Sequence, residues 1–245
     1  MKKLLIIILG CMCVPFLCAH ELTDGTYINP FTYAVENGEQ YTYENNYKRI
    51  YEYPRFFNLG WSKDGKYAYC IERGVSGAGG AEVAYYIQDV VTDEIIWSYT
   101  DSTFVGGEKS YSMEYILDKS IHNNYALIQK KLSQNAIALV TNAYKRLPIK
   151  IGDDEIAFKI EITDAGQDEF GFRMIDYMCK AVKNKKLTKT ISQKKHVTAD
   201  DVYICGYIQS PFENRIALIL AEERYVFEGN ELFYFVAGCD LVKGF

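Results

Sequence analysis

Between Phe56 and Tyr99, four short hydrophobic segments alternate with groups of turn residues. The segment that ends at Trp61 and the one over 67–72 are joined by a Lys-Asp-Gly-Lys turn, in which Gly65 can adopt a positive φ. A glycine-rich loop over 74–80 and a Thr-Asp-Glu turn separate the other two segments, which cover 83–91 and 95–99. Segments of this length with short connections pair with their neighbours in sequence. The pattern therefore predicts an antiparallel meander of four strands.

The C-terminal half has the same kind of pattern. Hydrophobic segments follow Pro148 at 156–162, 171–182, 187–192, 202–208, 215–222 and 232–238. No linker rich in Pro, Gly or Ser separates the two halves, which favours a single β-rich domain over 20–245. We expect a mainly β fold of antiparallel meanders, arranged as a partial propeller or a sandwich. An α+β arrangement is the alternative.

One segment between the halves has helical periodicity instead. Its apolar residues recur every three or four positions: Met113, Leu117, Ile121, Tyr125, Ile128 and Leu132. This spacing places them on one face and predicts an amphipathic helix over about 112–135 that packs on a sheet. Ser112 is suited to cap its start and Asn135 to end it.

The first turn of the meander has a distinctive set of residues. They are Trp61, Ser62, Asp64 and Gly65. This segment resembles the repeat of TolB-like and WD40-like β-propeller blades, in which Trp or Phe precedes Ser-Pro-Asp-Gly-Lys and a hydrophobic strand. Lys63 stands where that family prefers proline. The resemblance implies that these residues are structural, that they set the shape of a blade, and that the protein interacts with other proteins.

A second, degenerate copy of the same pattern starts at Ser210 and Pro211, where Phe212 and Glu213 replace Asp-Gly. The two copies are too far apart for a regular period of about 40 residues. The C-terminal segments over 227–229 and 236–239 are also similar to bacterial proteins known only as predicted secreted proteins of unknown role. That resemblance implies no particular chemistry.

The N-terminus has the order of a secretory signal peptide. Lys2 and Lys3 precede an apolar run over 4–17, and the chain becomes polar after Ala19. The run is shorter than the roughly 20 apolar residues that span a bilayer. We therefore expect a signal peptide over 1–19 and export to the periplasm or beyond. An uncleaved anchor is one alternative, and a lipoprotein is another, because the Ile-Leu-Gly that precedes Cys11 resembles a lipoprotein cleavage box.

The remaining cysteines leave two interpretations open. They are Cys70, Cys179, Cys205 and Cys239. An even number in an oxidising compartment permits disulfides, whereas buried thiols can also act as small hydrophobic residues. No two are close enough for a C-x-x-C motif, so neither a zinc site nor a thioredoxin-like redox site is indicated.

A glycine-rich loop follows the second strand of the predicted meander. Its candidate contact residues are Arg73, Gly74, Ser76, Gly77, Gly79 and Gly80. A phosphate-binding loop would lead into a helix N-terminus, whereas the following residues indicate a strand. We therefore expect a hairpin loop that can present a contact surface, and no cofactor.

No complete catalytic motif is present. Ser192 and Lys195 match S-x-x-K, but the companion motifs are missing and the surrounding lysines favour a solvated basic face. The formal net charge of −5 argues against nucleic acid as a partner. Seven tyrosines between positions 27 and 53 indicate an aromatic core face or a glycan- or peptide-binding surface.

We therefore expect an exported, non-catalytic protein that binds another protein or a glycan of the cell envelope. Its contact with the membrane would be limited to a possible lipid anchor. An envelope hydrolase that acts on glycan or peptide, and a structural lipoprotein, are the alternative functions.

Overall fold

The computed structural model describes residues 35–36, 39–40, 50–52, 54–75, 77, 79–104, 116–140, 144–226 and 229–245. Several predictions concern residues outside these ranges. They are the signal peptide over 1–19 with Cys11, the tyrosine-rich segment over 27–53 for most of its length, the helix cap Ser112, the apolar Met113 and the loop residue Ser76.

The predicted meander is confirmed as a four-stranded antiparallel sheet, here called sheet A. Its strands are β4 (Arg55–Trp61), β5 (Lys66–Gly74), β6 (Ala81–Asp89) and β7 (Glu94–Asp101), paired in that order. Gly65 has a φ of 87°, as expected for the turn between β4 and β5. Local turn residues and strand-forming segments are therefore sufficient to determine this sheet.

The C-terminal strands form two further sheets. Sheet B has the order β2-β1-β13-β14-β15-β3, with β8 also paired to β13, and sheet C has the order β12-β11-β10-β9. The strands of sheet B are β1 (Val35–Glu36), β2 (Glu39–Gln40), β3 (Ile50–Glu52), β8 (Tyr144–Lys145), β13 (Asp201–Gln209), β14 (Arg215–Val226) and β15 (Gly229–Asp240). Those of sheet C are β9 (Ile149–Ile151), β10 (Asp154–Gln167), β11 (Arg173–Lys183) and β12 (Leu187–Thr198). All pairings are antiparallel except that of β3 with β15.

The amphipathic helix is also confirmed. In the described part of the chain one helix occurs, α1 (Ile116–Gln134), and its apolar face is buried against sheet A. Leu117, Ile121, Ile128 and Leu132 are buried, as their spacing predicts. The helix ends at Asn135, whose N–H donates to the carbonyl of Lys131 at 3.2 Å.

The sheets stack in layers with sheet B in the middle. One face of β14 and β15 packs on the aromatic face of sheet A, where Trp61 and Tyr69 are buried. The other face packs on sheet C around Ile156, Cys179 and Leu218. Because sheet B is covered on both faces, its strands are hydrophobic almost throughout. The described part of the molecule is therefore mainly β, and α1 forms an outer layer.

Polar contacts fix the relative position of sheets A and B. The buried Gln88 donates through Nε2 to the carbonyl of Val236 at 3.0 Å. At the same end, Asp93 accepts the N–H of Gly238 at 2.7 Å. A Cβ on Gly238 would lie 1.8 Å from the carbonyl oxygen of Val90, so only glycine allows the two backbones to approach this closely.

The segment after the helix connects the same two sheets. Ala138 exchanges backbone hydrogen bonds with Trp61 on β4, at 2.8 and 3.0 Å, and Tyr144 then pairs with Ile208 on β13. The segment meets each sheet at a β-bulge that contains a glycine, Gly60 on β4 and Gly206 on β13.

The described residues include no helix with the length and hydrophobicity of a membrane span.

Candidate functional site

A cleft of about 220 Å³ opens between sheets A and B, and we call it the inter-sheet cleft. Strands β5, β6 and β7 form one wall and β15 forms the other. Its polar and aromatic lining consists of Arg73, Glu82, Tyr86, Thr100, Phe233 and Tyr234. Three aromatic rings, a guanidinium and a carboxylate therefore meet in a space that fits one side chain or one sugar ring.

Arg73 is the central charged residue of the cleft. Its Nε lies 2.6 Å from Oε1 of Glu82, and its guanidinium lies 5.1 Å from the centre of the Phe233 ring. Arg224 approaches the same ring at 4.8 Å. The charges of Arg73 and Glu82 neutralise each other, so the cleft has little net charge. Its contact surfaces are the flat, polarised faces of the guanidinium and of the aromatic rings.

A row of aromatic rings runs from the turn between β4 and β5 to the cleft. The ring centres of Trp61 and Tyr67 are 4.8 Å apart. Tyr67 stacks on Tyr69 with ring centres 5.5 Å apart, and Tyr69 stacks on Tyr86 with ring centres 5.0 Å apart. Burial raises the pKa of the Tyr86 hydroxyl, with Arg73 acting in the opposite direction. Tyr86 is therefore a neutral ring held in place by the core behind it.

The buried carboxylate of Glu222 on β14 is linked to the cleft through Arg224, which also contacts the Phe233 ring. Glu222 is 1% exposed and accepts hydrogen bonds from Tyr177 at 2.6 Å, from Lys194 at 2.8 Å and from Arg224. Lys194 also lies 3.8 Å from the centre of the Phe235 ring. The pKa of Glu222 is lowered: burial acts to raise it, but the bonds from Lys194, Tyr177 and Arg224 outweigh burial. Glu222 is thus a charged anchor that holds two cations against aromatic rings.

The two turns that contain Ser62 and Ser210 lie next to each other. In the first, Ser62 donates its N–H to the carbonyl of Lys66 at 2.9 Å, and its Oγ accepts the N–H of Lys66 at 2.8 Å. In the second, Ser210 donates its N–H to the carbonyl of Arg215 at 2.9 Å. Ser62 and Ser210 are both buried.

Val90 connects the two turns. Its N–H donates to the carbonyl of Gly65 at 3.0 Å, and Nη1 of Arg215 donates to its carbonyl at 3.3 Å. Asp64 pairs with Lys66 at the exposed tip of the first turn, and Pro211 is exposed in the second. The predicted motif residues therefore lie outside the cleft, and their hydrogen bonds are made within and between the two turns.

The predicted contact loop borders the inter-sheet cleft only at its base. Arg73 lines the cleft, whereas Gly77, Gly79 and Gly80 are exposed beyond it. Gly74 is the buried last residue of β5, and Val75 donates its N–H to the carbonyl of Gly80 at 3.2 Å, which closes the loop. Of the predicted loop residues that the structure describes, Arg73 alone therefore lines the cleft.

The described cysteines are buried free thiols, which decides between the two interpretations. Cys70, Cys179, Cys205 and Cys239 form no disulfide. Burial raises the pKa of Cys179 to about 12 and that of Cys239 to about 11, so both remain protonated near neutral pH. These side chains act as small hydrophobic residues between the layers.

The S-x-x-K residues lie on a strand. Ser192 and Lys195 belong to β12, where three residues of extended chain span about 10 Å, so they are not one helical turn apart. In the described ranges, no group of three His, Cys, Asp or Glu side chains is arranged to hold a metal ion.

Glu72 is a buried carboxylate beneath the start of α1. Its side chain is 0% exposed and pairs with Arg55. Burial raises the pKa of Glu72 to about 7, although the Arg55 guanidinium acts to lower it. The unfolded chain has an ordinary glutamate, with a pKa near 4.5.

We expect the stability to depend on Glu72 between about pH 4.5 and about pH 7. Because its pKa is higher in the folded state, the folded chain binds more protons in this window. The free energy of unfolding should therefore fall as the pH rises, by about 3 kcal/mol from this residue. Urea unfolding of wild type and Glu72→Gln at several pH values measures the effect. Equal pH dependence in the two proteins would contradict the assignment.

Most of the cleft was not predictable from local sequence. Tyr86, Phe233 and Tyr234 are hydrophobic positions within strands, and only the packing of sheet A on sheet B brings them together. The alternation of Tyr67 and Tyr69 was a usable signal for one aromatic face of sheet A. No local pattern indicated its partner strand.

No protein-family model, curated protein or solved structure matches this chain. The inference about its function therefore rests on its own residues.

Proposed function

We propose that this chain is an exported, non-catalytic binding protein that holds another protein of the cell envelope at the inter-sheet cleft. One observation carries the proposal: Arg73, Tyr86, Phe233 and Tyr234 meet in an open cleft between two sheets. Arginine and aromatic residues are enriched where protein interfaces bury their main anchor side chains. The apolar run over 4–17 supports export.

The cleft is suited to one anchoring side chain of the partner. Its rings are held by the stacked row behind Tyr86, so ligand binding requires little ordering of the wall. An aromatic or aliphatic side chain would be covered by Phe233 and Tyr234, while Arg73 and Glu82 would bond polar groups at the rim. Sheet A forms this wall, which is the role in protein interaction that the resemblance to a propeller blade implies.

We expect a photo-crosslinking residue at Thr100 to capture a specific envelope protein. Thr100 is exposed and lines the cleft, so its substitution places the probe at the rim without disturbing the core. A probe at Thr190, which is exposed on the distant strand β12, is the matched control. The adducts are identified by mass spectrometry after crosslinking in cells.

An adduct from the Thr100 probe that is lost in Phe233→Ala supports the proposal. The same adducts from both probes, or none from Thr100, contradict it. Binding of an envelope glycan by the purified protein would replace the protein partner with a glycan. Turnover of a glycan or peptide would instead support the hydrolase alternative, and a lipid on Cys11 would support the lipoprotein.

A further inference from the structure

Strand β10 has an open edge over residues 157–163, which we call the open edge. On this side β9 pairs with β10 only over Asp154–Ile156. In the part of the chain that the structure describes, no strand pairs with this side of β10 beyond Ile156. The side chains of Ala157, Lys159, Glu161 and Thr163 are exposed, and Ile162 is 37% exposed.

The pairing of β10 with β11 determines which backbone groups face the open edge. The carbonyl of Glu155 accepts the N–H of Asn184 at 2.8 Å and therefore points towards β11. Backbone groups alternate in direction along an antiparallel strand, and the register with β11 is unbroken up to Asp164. Phe158, Ile160 and Ile162 therefore direct their N–H and C=O groups outwards.

The opposite edge of sheet C has features that prevent pairing. Strand β12 carries Lys189, Lys194 and Lys195, and its register with β11 is broken by two bulges. Lysines and bulges are the usual means by which edge strands avoid pairing with another chain. The open edge has one lysine, Lys159, followed two residues later by Glu161, and it has neither a bulge nor a proline, so it remains a regular template for one more strand.

The residues of the open edge are complementary to themselves. In an antiparallel pair centred on Ile160, Lys159 lies opposite Glu161 of the second copy, and Phe158 lies opposite Ile162. Within one copy Lys159 lies across the sheet from Lys180, and the carboxylate of Glu161 bridges the two ammonium groups, at 3.1 Å from Lys159 and 2.5 Å from Lys180. A second copy would bring another carboxylate next to Lys159 and would extend the apolar row of Phe158, Ile160 and Ile162.

We propose that the open edge pairs with the same edge of a second copy of this chain. The two strands run antiparallel about a two-fold axis at Ile160 and pair over 157–163. Beyond Thr163 each β10 bends away at the β-bulge between Asp164 and Gly166, because the positions opposite, 154–156, are already paired with β9. The cleft between sheets A and B lies elsewhere, so each copy keeps its own cleft.

The test uses two charge-reversal variants of the full chain, Lys159→Glu and Glu161→Lys. Each alone places like charges opposite each other at both ends of the pair. We expect each to dimerise at least about tenfold more weakly than wild type in sedimentation equilibrium. When the two are mixed in equal amounts, one strand carries two carboxylates at these positions and the other carries two ammonium groups. Opposite charges then face each other at both ends, so the mixture should dimerise like wild type.

The mixing experiment separates pairing from damage to the fold, because each variant has the same internal contacts alone and in the mixture. Ile160→Pro is a further test: it removes an N–H that makes no bond to β11, so the expected protein is folded and monomeric. A monomeric wild type, variants that dimerise like wild type, or a mixture that stays monomeric would each overturn the proposal.

Discussion

Gly60→Ala is expected to destabilise the protein by about 4 kcal/mol, which is close to complete unfolding for a marginally stable domain. A Cβ at this position would lie 2.1 Å from the carbonyl oxygen of Ala138, and the φ of 137° is unfavourable for any residue with a Cβ. The obstructing atom belongs to the backbone that pairs with Trp61, so no side-chain rotation relieves the clash.

Gly171→Ala is the matched control for this prediction. Gly171 also has a positive φ, of 84°, but a Cβ there would meet no atom within 4 Å. Its cost should be limited to backbone strain of about 1 to 2 kcal/mol. Urea unfolding followed by circular dichroism gives both values. Equal losses in the two variants would show that the close contact at Ala138 is unimportant.

Asp101→Ala should cost about 3 to 4 kcal/mol, the second-largest effect that we predict. Asp101 is 2% exposed at the end of β7 and accepts the hydroxyl of Ser120 and the amide of Asn124, each at 2.8 Å. Tyr85 donates in turn to Ser120 at 2.9 Å. Alanine would leave the Ser120 hydroxyl buried between sheet A and α1 without its acceptor, and it would remove one of the two acceptors of the half-buried Asn124 amide.

The loss should appear first in the helix. In Asp101→Ala, the amides of α1 should exchange with solvent faster than those of β13 and β14, because the network joins the helix to sheet A. Asp101→Asn retains an acceptor oxygen and should give a smaller loss. Thr100→Ala changes the exposed neighbour and should stay within about 0.5 kcal/mol of wild type. Uniform exchange across all elements would contradict this role.

The sequence predicted those parts of the fold that depend on neighbours in the chain. The Lys-Asp-Gly-Lys turn and the spacing of Leu117, Ile121, Ile128 and Leu132 are local signals, and both sheet A and α1 were confirmed. The order of the layers is different, because it depends on contacts between distant segments. Nothing near β14 indicates that it lies between sheets A and C.

Two adjacent glutamates illustrate the limit of the alternation rule. Neighbouring residues on a strand point to opposite faces, so a charged pair normally places one member in solvent. Glu222 and Glu223 are both buried because sheet B is covered on both faces. Each therefore has its own donors, Lys194 with Tyr177 on one face and Tyr203 on the other. The continuous apolar run over 216–221 is typical of a strand that is covered on both faces, but it does not identify the donors that each glutamate meets.

The central position of sheet B affects the timing of folding. Its longest strands, β14 and β15, follow sheets A and C in the sequence and are therefore synthesised after them. Neither flanking sheet can cover its inner face until these two strands are available. A chain shortened before β15 would leave hydrophobic surface exposed to chaperones and proteases, so we expect such fragments to be degraded rapidly.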